Sequence, residues 1–73
     1  GNNLFTLASY KRCSEVFLEI VKFAPDDAPS FNNLASCQAN LDRLDEARGN
    51  YKKALEIDPK LEIAKRGLEN LSR

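Results

Sequence analysis

The sequence contains no histidine, no methionine and no tryptophan, and only two of its 73 residues are cysteine. Without histidine, the usual zinc-binding spacings are excluded, and so are serine or cysteine nucleophiles that depend on a histidine base. Two cysteines do not make a disulfide scaffold. No apolar run approaches the length of about 18 residues that indicates a transmembrane helix. The sequence therefore predicts a protein without a catalytic site, a metal or another cofactor.

The chain also lacks a surplus of charge, since 11 basic residues balance 11 acidic ones. A nucleic-acid-binding domain normally carries a basic surplus or stripe, and a membrane-surface helix clusters lysine and arginine opposite a large apolar face. Neither pattern is present, so no nucleic acid and no membrane is expected as a partner. A domain of this length has a marginal core. Another copy of the chain, or more of its parent protein, is the expected source of added stability.

The two cysteines, Cys13 and Cys37, are interpreted as small buried packing residues, which is a common role for a free cysteine. Reactive thiols are the alternative. Unpaired cysteines fit a reducing compartment, so the predicted location is the cytoplasm.

The spacing of apolar residues predicts a chain made of helices. Besides a helical fragment at residues 1–7, helices are expected at about residues 10–22, 29–40, 44–57 and 61–71. Pro25 and Pro59 end the helices that precede them. Asp26 or Asp27 is predicted to cap the helix that follows, and Asp42 to cap the one after that.

The helices at 10–22 and 44–57 share one pattern at a fixed offset of 34 residues (59 − 25), which aligns Pro25 with Pro59. The other aligned pairs are Tyr10 with Leu44, Cys13 with Ala47, Phe17 with Tyr51, Ile20 with Ala54, Val21 with Leu55, Phe23 with Ile57, and Leu34 with Leu68. A fixed period of this size indicates stacked helical hairpins. A generic four-helix bundle is the alternative fold, but it does not explain the repeated pattern.

The pattern resembles the tetratricopeptide repeat, in which a helix A and a helix B form a 34-residue hairpin closed by a proline. The matching positions hold a large residue and a leucine–small pair in helix A, then small residues on either side of a ring in helix B: Phe31, Leu34, Ala35, Leu44, Ala47, Tyr51 and Ala54. Two residues depart from the family pattern. Gln38 stands where an aromatic residue is usual, and Asp42 stands where the turn often has glycine.

The resemblance implies an all-α fold, a right-handed superhelical solenoid of antiparallel helix hairpins. It divides the chain into a partial repeat at residues 1–27 (the end of helix A and helix B), a complete repeat at 28–61 and a C-terminal capping helix at 62–73. A cap is expected because Glu69 stands where a small residue would meet a following helix, and burying an unpaired carboxylate there is costly. Gly67 is interpreted as a sign of a frayed cap, with close approach of a partner's backbone as the alternative.

The family implies a non-enzymatic protein–protein interaction module, a scaffold whose A helices line a concave groove for a protein or peptide partner. The groove positions carried over from the family are Asn2, Phe5, Thr6, Asn32, Asn33, Ser36, Ala39, Asn40, Ile63, Arg66 and Asn70. An asparagine offers both a donor and an acceptor, so it can bond a peptide backbone of any sequence. The alternative is that these asparagines simply face water.

One subgroup of the family holds the C-terminal carboxylate of chaperone tails with a cluster of lysine, asparagine and arginine. Asn2 and Asn33 match its asparagine positions, but its cation positions in the last helix are Ile63 and Gly67. Without cations the clamp lacks its charge-assisted bonds. Chaperone-tail binding is therefore not expected, although Arg66 lies beside the expected place.

Two other functions stay open. The apolar face of residues 10–22 is expected to be partly uncovered near Phe17 and Ile20, which predicts self-association into a homo-oligomer through the N-terminal repeat edge. Related helical repeats read RNA, but the neutral charge and the 34-residue spacing with a closing proline argue against that function.

Overall fold

A computed structural model of the chain describes residues 4–71, with side chains from residue 7 onward. Within that range the chain forms helices and no strand. The helices are α1 (Leu4–Phe23), α2 (Ala28–Asn40), α3 (Leu44–Ile57) and α4 (Glu62–Leu71). Each helix contacts the next one along the chain, and α2 also contacts α4. The predicted all-α fold is confirmed. The helices predicted at about residues 29–40, 44–57 and 61–71 correspond to α2, α3 and α4.

Proline and aspartate residues define several helix boundaries. Pro25 disfavours a helical conformation in the residue before it, and α1 ends just ahead of it. Asp27 occupies the N-cap of α2, where its carboxylate accepts a hydrogen bond from the Ser30 hydroxyl and not from a backbone N–H. Asp58 is extended because it precedes Pro59, and α3 ends there.

The first helix is longer than predicted. The sequence indicated a fragment at residues 1–7 and a separate helix from Tyr10, whereas residues 4–23 form one uninterrupted helix of 20 residues. Residues 7–9 include no glycine or proline, so the backbone contains no helix breaker there. The expected break before Tyr10 is wrong, and the assignment of residues 1–27 to a partial repeat stays a prediction.

The turn between α2 and α3 is built around Asp42, which adopts a left-handed φ of 65°. Its backbone N–H donates to the Ala39 carbonyl at 3.1 Å, and the N–H of Arg43 donates to the Gln38 carbonyl at 2.9 Å. This pair of bonds is the Schellman arrangement that closes a helix C-terminus. Asp42 therefore closes α2. The prediction that it caps α3 is wrong, because Arg43 is the N-cap residue of that helix.

The core lies mainly between α2, α3 and α4 and consists of small side chains around one leucine. Leu34 is 1% exposed and lies in a cluster with four fully buried alanines. These alanines are Ala35, Ala47, Ala54 and Ala64. Small residues at these positions let helix backbones approach closely, as the repeat pattern predicted for Ala47 and Ala54 in helix B. Phe31 and Tyr51 supply the large side chains of the same cluster.

Gly67 belongs to the packed part of α4. The ring of Tyr51 on α3 occupies the space that a side chain at position 67 would need. The interpretation of Gly67 as a sign of a frayed cap is therefore wrong, and so is the alternative that it admits a partner's backbone. Close approach is the reason for this glycine, but the approaching group is a ring of the same chain.

A disulfide between Cys13 and Cys37 joins α1 to α2, with the two Cα atoms 6.1 Å apart. The interpretation of these cysteines as unpaired, whether as packing residues or as reactive thiols, is wrong. The repeat pattern predicts that the two helices are neighbours, but it does not predict which residues meet across them. The argument for a cytoplasmic location that rested on unpaired cysteines loses its basis.

Candidate functional site

The exposed side of α2 is polar and narrow. Asn33, Ser36 and Asn40 follow one another at positions i, i+3 and i+7, which places them on one side of the helix. Asn33 and Asn40 are exposed and Ser36 is partly exposed. The side-chain amide of Asn40 donates to the Ser36 carbonyl at 2.9 Å, which leaves its own carbonyl oxygen available as an acceptor. The structure thus brings three predicted groove residues together on one helix face.

A second face with the same spacing lies on α4. Ile63, Arg66 and Asn70 are again at i, i+3 and i+7, and all three are exposed, Ile63 by 56%. Because α4 contacts α2, the two faces belong to neighbouring helices. This second face carries an aliphatic group, a guanidinium and an amide.

Two predicted residues of α2 lie away from that exposed face. Ala39 is partly buried, and Asn32 is only 7% exposed. The Oδ1 atom of Asn32 has no hydrogen-bond partner within residues 4–71, an arrangement that is uncommon for a buried polar atom. The sequence held a signal for this burial. Ala28, Asn32, Ala35 and Ala39 recur at helical spacing, and a stripe of small residues indicates close helix packing.

The other predicted groove residues belong to the N-terminal segment. Asn2 lies outside the described residues. The side chains of Phe5 and Thr6 also lie outside them, although the backbone of both residues is part of α1. The first-repeat portion of the groove stays a prediction.

A buried amide network, which the sequence analysis missed, joins α2 to α3. Gln38 is 7% exposed. Its Oε1 atom accepts a hydrogen bond from Nδ2 of Asn50 at 2.6 Å, and its Nε2 atom donates to Oε2 of Glu46 at 3.3 Å. Both ends of the amide therefore have partners. This explains how a glutamine fits the position where the family usually has an aromatic residue.

The described surface offers hydrogen-bonding groups and an aliphatic contact. Residues 4–71 contain no cluster of three or more histidine, cysteine or acidic residues that could hold a metal ion. Asp45 and Glu46 lie in the first turn of α3, where negative charge favours the positive end of the helix. None of the helices in the described part of the chain is long and apolar enough to cross a bilayer.

Comparison with protein families agrees with this geometry. The family model of the tetratricopeptide repeat matches residues 28–61, the stretch that contains α2, the Asp42 turn and α3. The chain belongs to the tetratricopeptide repeat family. Repeats of this family are typically interaction modules for proteins.

Several curated proteins are similar to this tetratricopeptide repeat chain. Heat shock protein STI1 of Saccharomyces cerevisiae is 44% identical over 55 residues, which cover 75% of the chain and 9% of that protein. Hsp70-Hsp90 organizing protein 1 of Glycine max is 32% identical over 59 residues, which cover 81% of the chain and 10% of that protein. Sperm-associated antigen 1 of Rattus norvegicus is 34% identical over 77 aligned positions, covering 96% of the chain and 9% of that protein.

The chain spans about a tenth of the length of these curated relatives. No solved structure matches it significantly.

Proposed function

We propose that the chain is a non-enzymatic protein-interaction module that binds an extended peptide on the exposed faces of α2 and α4. The observation that carries this proposal is the exposure of two triplets with the same i, i+3, i+7 spacing on neighbouring helices. They are Asn33, Ser36 and Asn40 on α2, and Ile63, Arg66 and Asn70 on α4. In a family of stacked hairpins these are helix-A positions, which line the concave side of the array.

The chemistry of the two faces indicates the kind of peptide. The N–H and C=O groups of an extended backbone match the donors and acceptors of asparagine side chains, whatever the peptide sequence. Ile63 offers an apolar contact, and Arg66 supplies one positive charge. We therefore propose a peptide that is neutral or weakly acidic and carries at least one apolar side chain.

The same residues separate this chain from the carboxylate clamp that holds chaperone tails. One relative is named as an organizer of Hsp70 and Hsp90, but the clamp's cation positions in α4 are Ile63 and Gly67 here. A Cβ atom at position 67 would lie 2.6 Å from Oη of Tyr51, so a lysine or arginine there would have to displace the ring. We propose that the partner is not held by its C-terminal carboxylate.

A peptide selection tests this function. Random peptides displayed on phage are selected on the wild-type chain, and the affinity of a selected peptide is measured by calorimetry. Asn33→Ala and Asn40→Ala are each expected to weaken binding by about fivefold, since one hydrogen bond contributes about 1 kcal/mol. Far-UV circular dichroism checks that helicity is retained.

Glu56→Ala, a change at an exposed residue of α3, is the matched control and is expected to leave the affinity unchanged. Selection of no peptide, or equal affinities for all three variants and the wild type, would contradict the proposed site.

A second candidate function, assembly of the chain with itself, is favoured by an apolar face on α1. Val16, Ile20 and Phe23 are 49%, 36% and 87% exposed. Their spacing of four and then three residues matches the seam along which two copies of one helix pair, so the occupant we propose is a second copy of this chain. Light scattering over a concentration series is expected to give twice the 8.2 kDa of one chain.

Phe23→Ser is expected to restore the mass of one chain. A wild-type mass of 8.2 kDa at every concentration would rule out assembly through α1 and leave the peptide site as the proposed function.

The C-terminal cap and the compartment predicted from the sequence stay proposals. Residues 62–73 act as a solvating cap, a role supported by the exposure of Glu69 on α4. The cytoplasm stays the predicted compartment although the paired cysteines no longer support it, and cellular thiols there keep most protein cysteines reduced. In that setting the disulfide of Cys13 and Cys37 would be subject to opening, which bears on the inference below.

A further inference from the structure

The attachment of α1 depends on one helix and one covalent bond. Among the described helices, α1 contacts α2 alone. Among the side chains of α1 that the structure describes, from residue 7 to residue 23, Ser14 and Val21 are buried, whereas Cys13 and Phe17 are only partly buried. The disulfide from Cys13 to Cys37 is the one covalent link across this interface. Since Val21 is the one buried apolar side chain of α1 within residues 7–23, the bridge is expected to contribute strongly to holding the helix against α2.

We propose that the Cys13–Cys37 disulfide is a redox switch for the docking of α1 on α2. While the bridge is closed, α1 is held against α2. When it is opened, α1 undocks and the surface of α2 that it covered becomes accessible.

The switch borders the proposed peptide site. Cys37 directly follows Ser36 in α2 and lies one helical turn after Asn33. The surface that α1 covers is therefore next to the exposed polar face of the same helix. We expect undocking to weaken peptide binding, because α1 then no longer holds a fixed position beside the polar face of α2. This consequence rests on the proposed function.

A dithiol reductant would open the bridge by two exchange steps. Its thiolate attacks one cysteine sulfur, a mixed disulfide forms and the other cysteine leaves as a thiolate. The second thiol of the reductant then displaces the first cysteine. The reductant ends as a disulfide, having given up two electrons and two protons, and both cysteines end as thiols. Cys37 is only 8% exposed and Cys13 is partly exposed, so Cys13 is the expected point of attack.

The rest of the structure is expected to tolerate this opening. The pairing of α2 with α3 relies on Leu34, Ala35, Ala47 and Ala54, which are at most 1% exposed. Neither cysteine belongs to the buried cluster that contains these residues. Reduction should therefore loosen α1 and leave the complete repeat folded, which is the behaviour a switch requires.

Hydrogen exchange of the whole chain, read by mass spectrometry with and without dithiothreitol, tests the proposal. Reduction is expected to raise exchange rates in α1 by about tenfold or more, because a cross-link that closes a loop of this size opposes local opening strongly. The amides of α2 and α3 are expected to change much less. Alkylation before and after reduction should show two thiols that become reactive only after reduction.

The Cys13→Ser/Cys37→Ser double variant is the control. Its α1 amides are expected to exchange at the rates seen in the reduced wild type, and adding dithiothreitol is expected to leave those rates unchanged. Reversible reduction of the wild type needs no variant, so the test remains decisive even if the double variant folds poorly. Free thiols in the air-oxidised protein, unchanged exchange of α1, or an equal rise in all helices would each overturn the switch.

Affinity for a selected peptide, measured in both redox states, separates the two proposals. A weaker affinity on reduction supports both. An unchanged affinity alongside faster exchange in α1 supports the switch and counts against a peptide site bordered by α1.

Discussion

The phenol ring of Tyr51 on α3 lies directly against Gly67 on α4. A Cβ atom at position 67 would lie 2.6 Å from the tyrosine Oη, closer than real Cβ atoms come to their neighbours. Tyr51 is itself 6% exposed, so its ring has little room to move aside. The contact therefore explains a glycine in the middle of a helix, where glycine is otherwise unfavourable.

Gly67→Ala is expected to destabilise the protein by about 1 kcal/mol. Overpacking a buried site costs roughly 1–3 kcal/mol, and the better helix propensity of alanine offsets about 1 kcal/mol of it. Urea unfolding followed by circular dichroism measures the change. In a Tyr51→Leu background the alanine is expected to lose its penalty, since the two residues are in contact. The same penalty in both backgrounds would contradict the contact.

Gly49→Ala is expected to have the opposite effect. A Cβ atom at this position of α3 meets nothing within 4 Å, so the substitution adds no clash. Alanine should then stabilise the helix by up to about 1 kcal/mol. The same urea experiment measures it, and Gly67→Ala is the matched control because the chemical change is identical. A loss of stability at position 49 would show that the outer face of α3 is covered by something else.

Much of this fold could be predicted because the 34-residue period relates one helix to another. Once Pro25 aligned with Pro59, the small residues and Tyr51 of helix B had to meet a neighbouring helix, and the structure buries them there. The disulfide could not be predicted in the same way. Which residue of α1 meets Cys37 depends on the register of two helices, and hydrophobic spacing does not define that register.

Local geometry accounts for the other differences. Asp42 suits an N-cap by residue type, but its left-handed backbone follows from the two hydrogen bonds that close α2. In the candidate site, the spacing predicted which residues share a face with Asn33. Asn32 and Asn33 were both assigned to the groove although adjacent residues differ by 100° around a helix. Which of the two is buried depends on where the neighbouring helix lies, and only the stripe of small residues that includes Asn32 indicated it.

Asp42→Gly is expected to stabilise the protein by up to about 1 kcal/mol. The φ of 65° at this residue is costly for a residue with a Cβ atom, less so for aspartate than for most. Asp42→Ala is the control, because it removes the same charge and keeps the Cβ atom. Alanine should destabilise relative to glycine in thermal or urea unfolding. Equal stabilities of the two variants would mean that the backbone conformation is not the cause.

Asn50→Ala is expected to destabilise the protein by about 1–3 kcal/mol. The change removes the donor at 2.6 Å from Oε1 of Gln38 and leaves a buried acceptor without its partner. The Gln38→Leu/Asn50→Ala double variant should recover part of the loss, because neither polar group is then left unpaired. Urea unfolding of the two single variants and the double variant gives the coupling energy. Additive losses would show that the two amides do not depend on each other.

Opening the Cys13–Cys37 bridge is expected to lower the free energy of unfolding by about 3 kcal/mol. The bridge spans a sequence separation of 24 residues, and a loop of that size restricts the unfolded chain by about this amount. Urea unfolding of the oxidised wild type, the reduced wild type and the Cys13→Ser/Cys37→Ser variant measures it. The last two should agree, and the reductant should not affect the variant. A reduced wild type as stable as the oxidised one would contradict the expected stabilisation by the bridge.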